Sequence, residues 1–336
     1  MAPRVHGADM SRVSRCAVLA ALLLAAAAGS APAQTGYPNR PVTFIVPFAP
    51  GGTTDILARL ISQKLEQRLG KPFVVENRPG AGGVTAAVAV SRAVPDGYTV
   101  IMASSTMLAI NISIRKNLPY DPRKDLTPLA LLARVPYVLV VNPSLPVHSV
   151  ADLVRLAKEK PGQLSYGTPG PGTFHHLNAE SFKTMFGVEL THVPYKGSLP
   201  ALSDLAGGHI QMMFCDIPPT VSLIQSGKLR PLGVTTPQRV PVLPEVAPLS
   251  EAGMPGYDAS SWHTVTTTAG VPKPIVDTLH TALREIMGDP AVVEALARDG
   301  AVAQTSPPPE ELKRFVEREI ERWGKVVERA GIAGTQ

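Results

Sequence analysis

Apolar and polar positions alternate along this chain in two registers. Short apolar, β-rich runs predict strands at Val42-Val46, Phe73-Glu76, Thr99-Ala103, Tyr137-Asn142, Leu164-Gly167, Glu189-Val193, Ile210-Phe214 and Leu229-Thr235. Between and after them, helical periodicity predicts helices at Asp55-Leu69, Val84-Ala93, Val150-Glu159, Phe174-Phe186, Leu199-Ala206, Ile275-Met287, Ala291-Asp299 and Pro309-Ala330. In the first helix Ile56, Leu57, Leu60, Ile61 and Leu65 fall close to one buried face. Strands alternating with helices imply parallel α/β sheets with covered faces.

The pattern contains an internal echo. "VTFIVPFAPGGTTDILARLI" and "LSYGTPGPGTFHHLNAESF" each read strand, Pro/Gly loop, Thr, helix. This repeat implies two α/β domains, the second inserted in the first. The expected division is 34–135 plus 236–336 for domain 1 and 136–235 for domain 2, with the late helices returning to the first.

The amino terminus changes the picture of where this fold begins. Arg4, Arg12 and Arg15 precede an Ala- and Leu-rich run, Ala17 to Ala28, and Ala31-Pro32-Ala33 places small residues where a signal peptidase reads. Residues 1–33 are therefore expected to be a cleaved signal peptide and the mature protein to be periplasmic. The run is too short for a bilayer span. Removing it takes away three Arg and one Asp, so the formal charge falls from +5 to +3, which gives no case for nucleic-acid binding. Cys16 leaves with the leader, and Cys215 alone cannot form an internal disulfide.

Candidate chemistry sits at the two strand-to-helix loops. A helix start offers unpaired N–H groups and the positive end of its dipole. Glycines allow close backbone approach, and Thr53 or Thr54 can cap the helix or donate a hydroxyl. Either loop alone is ordinary turn chemistry; two matching loops, Ala49-Asp55 and Thr168-Thr173, suggest a two-sided carboxylate clamp. Neither Phe48-Asp55 nor Gly167-His176 contains Arg or Lys. That absence points to a ligand with one or two carboxylates rather than a phosphate ester. Asp55 and Asp216 add negative charge, which tolerates a ligand amine or hydroxyl and disfavours a tricarboxylate. Asp216 also reads as a loop cap.

Enzyme signatures are thin. G-x-x-x-x-G-K-[ST], G-x-S-x-G, H-E-x-x-H and C-x-x-C are all missing from the sequence. His175 and His176 point about 100° apart on one helix and cannot easily share a metal, and His192 and His263 read as structural. No metal and no cofactor is expected. An exported enzyme using Asp55, His176 or Asp216 as acid or base stays open as the alternative.

Eight stretches occur in order: "YPNRPVTFIVPFAPGGTTDILAR", "VVENRPGAGG", "PDGYTV", "LPYDPRKDLTPLALL", "YGTPGPGTFHHL", "HVPYKG", "GKLRPLGVT" and "EAGMPGY". Together they closely resemble the tripartite tricarboxylate transporter receptors, the Bug family of periplasmic solute-binding proteins, from about Tyr37 to Ile332. The resemblance implies a periplasmic binding protein of type II, a Venus flytrap of two α/β domains with a ligand cleft between them. It also implies a small carboxylate ligand (a mono- or dicarboxylate or an amino acid), a two-subunit membrane permease as partner, and, in some relatives, a signalling role. A monomer is expected. With the loop reading it gives an expected ligand-binding set of Phe48, Ala49, Gly52, Thr53, Asp55, Ser104, Thr106, Thr168, Gly170, Gly172, Thr173, His176 and Asp216. The chain departs from the family where Thr267-Thr268-Ala269-Gly270-Val271-Pro272 replaces A-P-A-G-T-P, and where Phe214-Cys215-Asp216 replaces F-D-N. The second departure lies near the cleft.

The leader reading has a direct test. N-terminal sequencing of the chain from a periplasmic extract is expected to start near Gln34; full-length chain held in the inner membrane would refute it.

Overall fold

The computed structural model describes residues 36–335, so the expected leader and its cleavage point before Gln34 lie outside the described residues. Two compact units divide at Asn39/Arg40. Of the first, residues 36–39 are described and carry no helix or strand; everything below belongs to the second.

That unit is a mixed sheet wrapped by helices. Its strands are β1 (Val42–Val46), β2 (Phe73–Asn77), β3 (Thr99–Ser104), β4 (Leu126–Val141), β5 (Ser165–Thr168), β6 (Thr191–Pro194), β7 (Met212–Asp216), β8 (Arg230–Val234), β9 (Ser260–Thr268) and β10 (Val302–Ala303). The helices used below are α1 (Thr53–Leu69), α2 (Val84–Ser91), α3 (Asn111–Ile114), α4 (Val150–Glu159), α5 (Phe174–Phe186), α6 (Ser198–Ala206), α7 (Val221–Gln225), α8 (Lys273–Met287), α9 (Pro290–Arg298) and α10 (Pro309–Arg329). A π-helical turn, Thr106–Ile110, leads into α3.

The strand order is β2-β1-β3-β9-β4-β7-β5-β6, with β8 and β10 pairing off β4. The 16-residue β4 pairs with β9 from Leu126 to Pro136 and with β7 from Tyr137 to Val141. It therefore belongs to two ladders, and Phe44 and Tyr166 lie on one hydrogen-bonded path. The expected chain division at 135/136 lies where β4 changes partner; that at 235/236 follows β8.

The sheets are not purely parallel as the alternation implied. β1 is parallel to β2 and β3, and β5 to β6 and β7. β9 and β4 are antiparallel to their neighbours. Three strand segments escaped the apolar-run reading, the two-residue β10 among them. Residues 126–136 carry Pro128 and Pro136, which interrupt a strand pattern. β9 reads Ser-Ser-Trp-His-Thr-Val-Thr-Thr-Thr: its β-branched residues suit a strand, but its polar ones hide it from a hydrophobicity search.

Local rules account for the helices that position the site. α1 starts after Gly52 in an extended conformation and stops at Gly70, whose φ of 72° is left-handed and whose N–H donates to the Glu66 carbonyl. Leu57, Ala58, Ile61 and Leu65 form its buried face. One core cluster joins α2, the π turn and α10 around Ile101, Met107 and Trp323. Two more cover the opposite faces of the second ladder, one around Tyr166 and Phe182, the other around Leu202 and Met213.

A buried carboxylate ties α10 to β9. Glu319 Oε2 accepts from Trp262 Nε1 at 2.7 Å and from Trp323 Nε1 at 2.8 Å, while Arg322 lies 3.3 Å from Oε1. Trp262 sits between Ser261 and His263 on β9, so this tie sets the height of that strand. Glu319→Leu strands two buried indole donors and is expected to lower unfolding free energy by about 2–4 kcal/mol, whereas Glu319→Gln keeps an acceptor and should lose less. Urea denaturation of both variants measures this; equal losses would refute the indole account.

Candidate functional site

The two ladders run in opposite senses along the strand path, so their carboxyl ends point at each other. Between them lies a cavity lined by Phe48, Gly52, Thr53, Thr54, Ser104, Thr106, Tyr137, Pro169, Thr173, His175, Ser198, Asp216, Ser261 and His263. Phe48 follows β1, Pro169 follows β5, and Ser104 and Asp216 end β3 and β7. This is where open α/β sheets receive ligands.

Strand register builds the floor. Ser104 pairs with His263 across β3–β9, Val135 with Ser261 across β4–β9, and Tyr137 with Asp216 across β4–β7. The change of partner along β4 thus brings Ser261, Tyr137 and Asp216 together. Helix starts build the walls. α1, α5 and α6, of 17, 13 and 9 residues, begin at Thr53, Phe174 and Ser198, and the π turn begins at Thr106. The residues before α1, α5 and α6 make no side-chain cap. Each α-helix start carries roughly half a positive charge and N–H groups without intrahelical acceptors.

Two loops are held rigidly around this space. The Asp55 carboxylate accepts from the Gly51 N–H at 2.9 Å, from Arg59 Nε at 2.9 Å, from an Arg59 terminal nitrogen at 3.1 Å and from Asn77 Nδ2 at 2.9 Å. Asn77 Nδ2 also donates to the Phe48 carbonyl at 2.9 Å. Burial pushes the Asp55 carboxyl up, but Arg59, Gly51 and Asn77 together outweigh it and hold it below its ordinary range. In the second loop Thr173 Oγ1 donates to the Gly170 carbonyl at 2.8 Å, and Thr168 Oγ1 lies 2.7 Å from His192 Nε2. The Gly172 N–H donates to His176 Nδ1 at 3.3 Å. His176 stacks on His192 with ring centroids 4.4 Å apart, and His192 on Tyr166 at 4.9 Å.

The two halves meet over the cavity. The Ala49 N–H donates to the Lys196 carbonyl at 3.2 Å, and the Phe174 N–H donates to Thr106 Oγ1 at 3.1 Å. Gly170 and Gly172 have left-handed φ of 146° and 74°, and a Cβ there would come within 3.3 Å of Gly82 N and 3.2 Å of Asn111 Oδ1. Their close approach is to the opposite half of the protein.

Of the expected set, Phe48, Gly52, Thr53, Ser104, Thr106, Thr173 and Asp216 line the cavity. Ala49, Thr168, Gly170 and Gly172 shape its loops and the contact between halves. Asp55 faces its own loop, and His176 faces the ring stack. Its neighbour His175 lines the cavity instead, with the edge of its ring toward Tyr137 at 4.9 Å between centroids. The helical offset of adjacent residues made one of this pair face inward, and packing chose His175. Tyr137, Pro169, Ser198 and Ser261 are additions that sequence reasoning did not single out. His263, read as structural, also lines the cavity, and Thr54 joins it as the hydroxyl beside His263.

Among the described residues no Lys or Arg lines the cavity. Several buried polar atoms that do line it have no hydrogen-bond partner within the protein: Thr53 Oγ1, Ser104 Oγ, Ser261 Oγ and His263 Nδ1. His175 Nε2 lies 3.4 Å from Asp216 Oδ2, an ion pair only when the imidazole is protonated and too poorly aligned to count as a hydrogen bond. Burial pushes the Asp216 carboxyl up, but neighbouring His175 pulls it back, leaving it below its ordinary range. Burial pulls His263 down to about 4, against the opposing effect of Asp216, and its Nε2 lies 3.2 Å from Thr54 Oγ1. Among the described residues no group of three His, Cys, Asp or Glu side chains is placed to hold a metal. The arrangement can hold an anion through neutral donors.

A pH dependence follows from the histidines. The unfolded chain protonates His263 below its ordinary pKa of 6.5, while the folded chain holds it neutral down to about 4. Burial likewise pulls His192 down to about 4. Between pH 6.5 and 4 the unfolded state binds more protons, so stability falls as pH falls. Urea midpoints measured across that window are expected to drop, with a shallower slope in His263→Gln; an unchanged slope would refute the assignment.

Comparison with known proteins places the chain in a family. Residues 57–332 match the family described as "Tripartite tricarboxylate transporter family receptor". Protein BugT of Bordetella pertussis is 36% identical over 321 residues, covering 95% of this chain and 98% of that one. The structure of R. palustris Rpa4515 with adipate is 44% identical, with a TM-score of 0.85, covering 88% of this chain and 99% of that one. MatC (Rpa3494) from Rhodopseudomonas palustris with bound malate is 33% identical, with a TM-score of 0.83, covering 87% and 100%. The fold is that of the periplasmic solute-binding proteins, and the chain belongs to the tripartite tricarboxylate transporter receptor family, the Bug-type receptors.

Proposed function

We propose that this protein is a periplasmic receptor that captures a small carboxylate between its two halves and delivers it to a tripartite tricarboxylate transporter-type permease of two membrane subunits. The observation that carries the reading is the cavity itself. Three α-helix starts and several unpartnered hydroxyl and imidazole atoms converge on it, and among the described residues no Lys or Arg lines it. Such a site suits one or two carboxylates, recognised through backbone N–H groups, hydroxyls and bridging water. A phosphate ester, whose charge is usually met by Arg or Lys, suits it poorly.

The two halves act as lobes, divided as 34–135 plus 236–336 and 136–235, with residues 1–33 as the export signal. Contacts such as Ala49 to Lys196 and Thr106 to Phe174 are those a closed clamp makes. Among the described residues no helix is long and apolar enough to cross a membrane. The matched family is one of receptors, and relatives of similar length hold adipate and malate.

A thermal-shift panel of mono-, di- and tricarboxylates, amino acids and phosphate esters tests this, followed by a turnover assay on whatever stabilises. A ligand present at 100 times its Kd is expected to stabilise the fold by about 2.7 kcal/mol, without being converted. Thr53→Val and Ser104→Ala are each expected to weaken binding by about 0.5–1.5 kcal/mol, one hydrogen bond, at little cost to the apo protein. Tightest binding by a phosphate ester, or turnover of the ligand, would overturn the reading.

A further inference from the structure

The cleft loops and their strand ends carry two buried acids, and the protein treats them differently. Asp55 is paired: Arg59 reaches both its oxygens, and Gly51 and Asn77 add two more donors. Asp216 is 5% exposed at the end of β7, lines the cavity, and among the described residues has no Lys or Arg beside it. Its Oδ2 lies 3.4 Å from Ser198 Oγ and 3.4 Å from His175 Nε2, both at the long limit of interaction. Tyr137 and His263 are the remaining groups that act on it. A carboxylate can accept about four hydrogen bonds. Asp216 is thus a buried negative charge with spare acceptor capacity, facing a space built for anions.

Charge then decides what can share that space. The three α-helix starts together supply roughly one and a half positive charges. A ligand carboxylate at the Thr53 and Thr173 helix starts, together with Asp216, makes two negative charges and already exceeds that. A plain dicarboxylate adds a further negative charge with nothing cationic to meet it. A ligand that brings its own ammonium group supplies a permanent positive charge to Asp216, whose neighbours His175, Ser198 and Tyr137 are neutral donors unless the imidazole is protonated, and a buried carboxylate costs less with a cation beside it than without one.

We propose that Asp216 seats a ligand ammonium group, and that the preferred ligand is a small amino acid rather than a plain carboxylic acid. This rests on the receptor reading above. Ser198 and His175 position the Asp216 carboxylate, and the helix starts of α1 and α5 take the ligand's carboxylate.

Two matched series test it by calorimetry at one pH and salt concentration: succinate, malate and aspartate, then glutarate, 2-hydroxyglutarate and glutamate. Within each series only hydrogen, hydroxyl or ammonium changes. In the unmodified protein the amino member of at least one series is expected to bind about tenfold or more tighter than its plain diacid. In the near-isosteric Asp216→Asn that advantage is expected to collapse to within about threefold, with the plain diacid binding more tightly than before. Binding of a plain diacid by Asp216→Asn doubles as evidence that the variant is folded. Three results overturn the proposal while leaving the receptor intact. One is malate or 2-hydroxyglutarate as the tightest ligand. Another is a plain diacid matching its amino partner with uptake of a proton, which would place the compensating charge on His175. The third is an Asp216→Asn variant that keeps the amino preference. No binding by any carboxylate, of either series or of the wider panel, would remove the receptor reading as well.

Discussion

The change of partner along β4 is the constraint on which the rest depends. Up to Pro136 this strand pairs with β9; from Tyr137 it pairs with β7 and β8. Pro136 has no N–H with which to continue the ladder, yet its carbonyl still accepts from Ile217 at 3.3 Å. One strand therefore serves two ladders, and the carboxyl ends of each are brought to the point of exchange. Ser261, Tyr137 and Asp216 come together by register alone, before any helix is placed. The helices that follow β1, β5 and β6 then begin around that point.

Electrostatics at this point is achieved with neutral parts. Helix starts, hydroxyls and a histidine kept uncharged by burial surround the cavity, and the arginine nearest to the first loop is used up on Asp55. That use is structural: Arg59, Asn77 and Asp55 hold the Phe48–Gly52 backbone so that its N–H groups point the same way each time. Rigid dipoles in a water-poor space bind charge without reorganising. They also allow release, since each neutral donor is weaker than an ionised one. A receptor that must hand its cargo on gains from that moderation.

The outer packing serves the same geometry. Glu319 joins Trp262 of β9 to Trp323 of α10, and Trp323 packs edge-on against Phe174 at 4.7 Å between centroids. Phe174 opens α5, whose start borders the cavity and whose N–H reaches Thr106 across the contact between halves. The late helix therefore fixes both a floor strand and a wall helix. The ring stack of Tyr166, His192 and His176 does the equivalent for the Thr168–Thr173 loop from the other side.

The sequence by itself determined the α/β alternation, the longer helices almost to their ends, both strand-to-helix loops and the family; the short α3 and α7 and the π turn were not read from it. These are local signals: periodicity, glycine and proline placement, and short motifs in order. Phe48, Gly52, Thr53 and Thr173 were legible because backbone donors at a helix start follow from the start itself. The tertiary structure decided the rest. β9 was hidden because buried Thr, Ser and His look like surface until a neighbouring strand supplies their partners. Tyr137, Ser198 and Ser261 lie far apart in the chain and meet only through the partner exchange along β4. His175 faces the cavity and His176 the ring stack because the packing of α5, not its sequence, sets the rotation of the helix. Asp55 and Asp216 looked alike as acids near a cleft; Arg59 reaches Asp55 from the next turn of the same helix, whereas only the fold brings His175 and Ser198 to Asp216. Local chemistry is written residue by residue; which polar groups are left facing one another is a property of the folded chain.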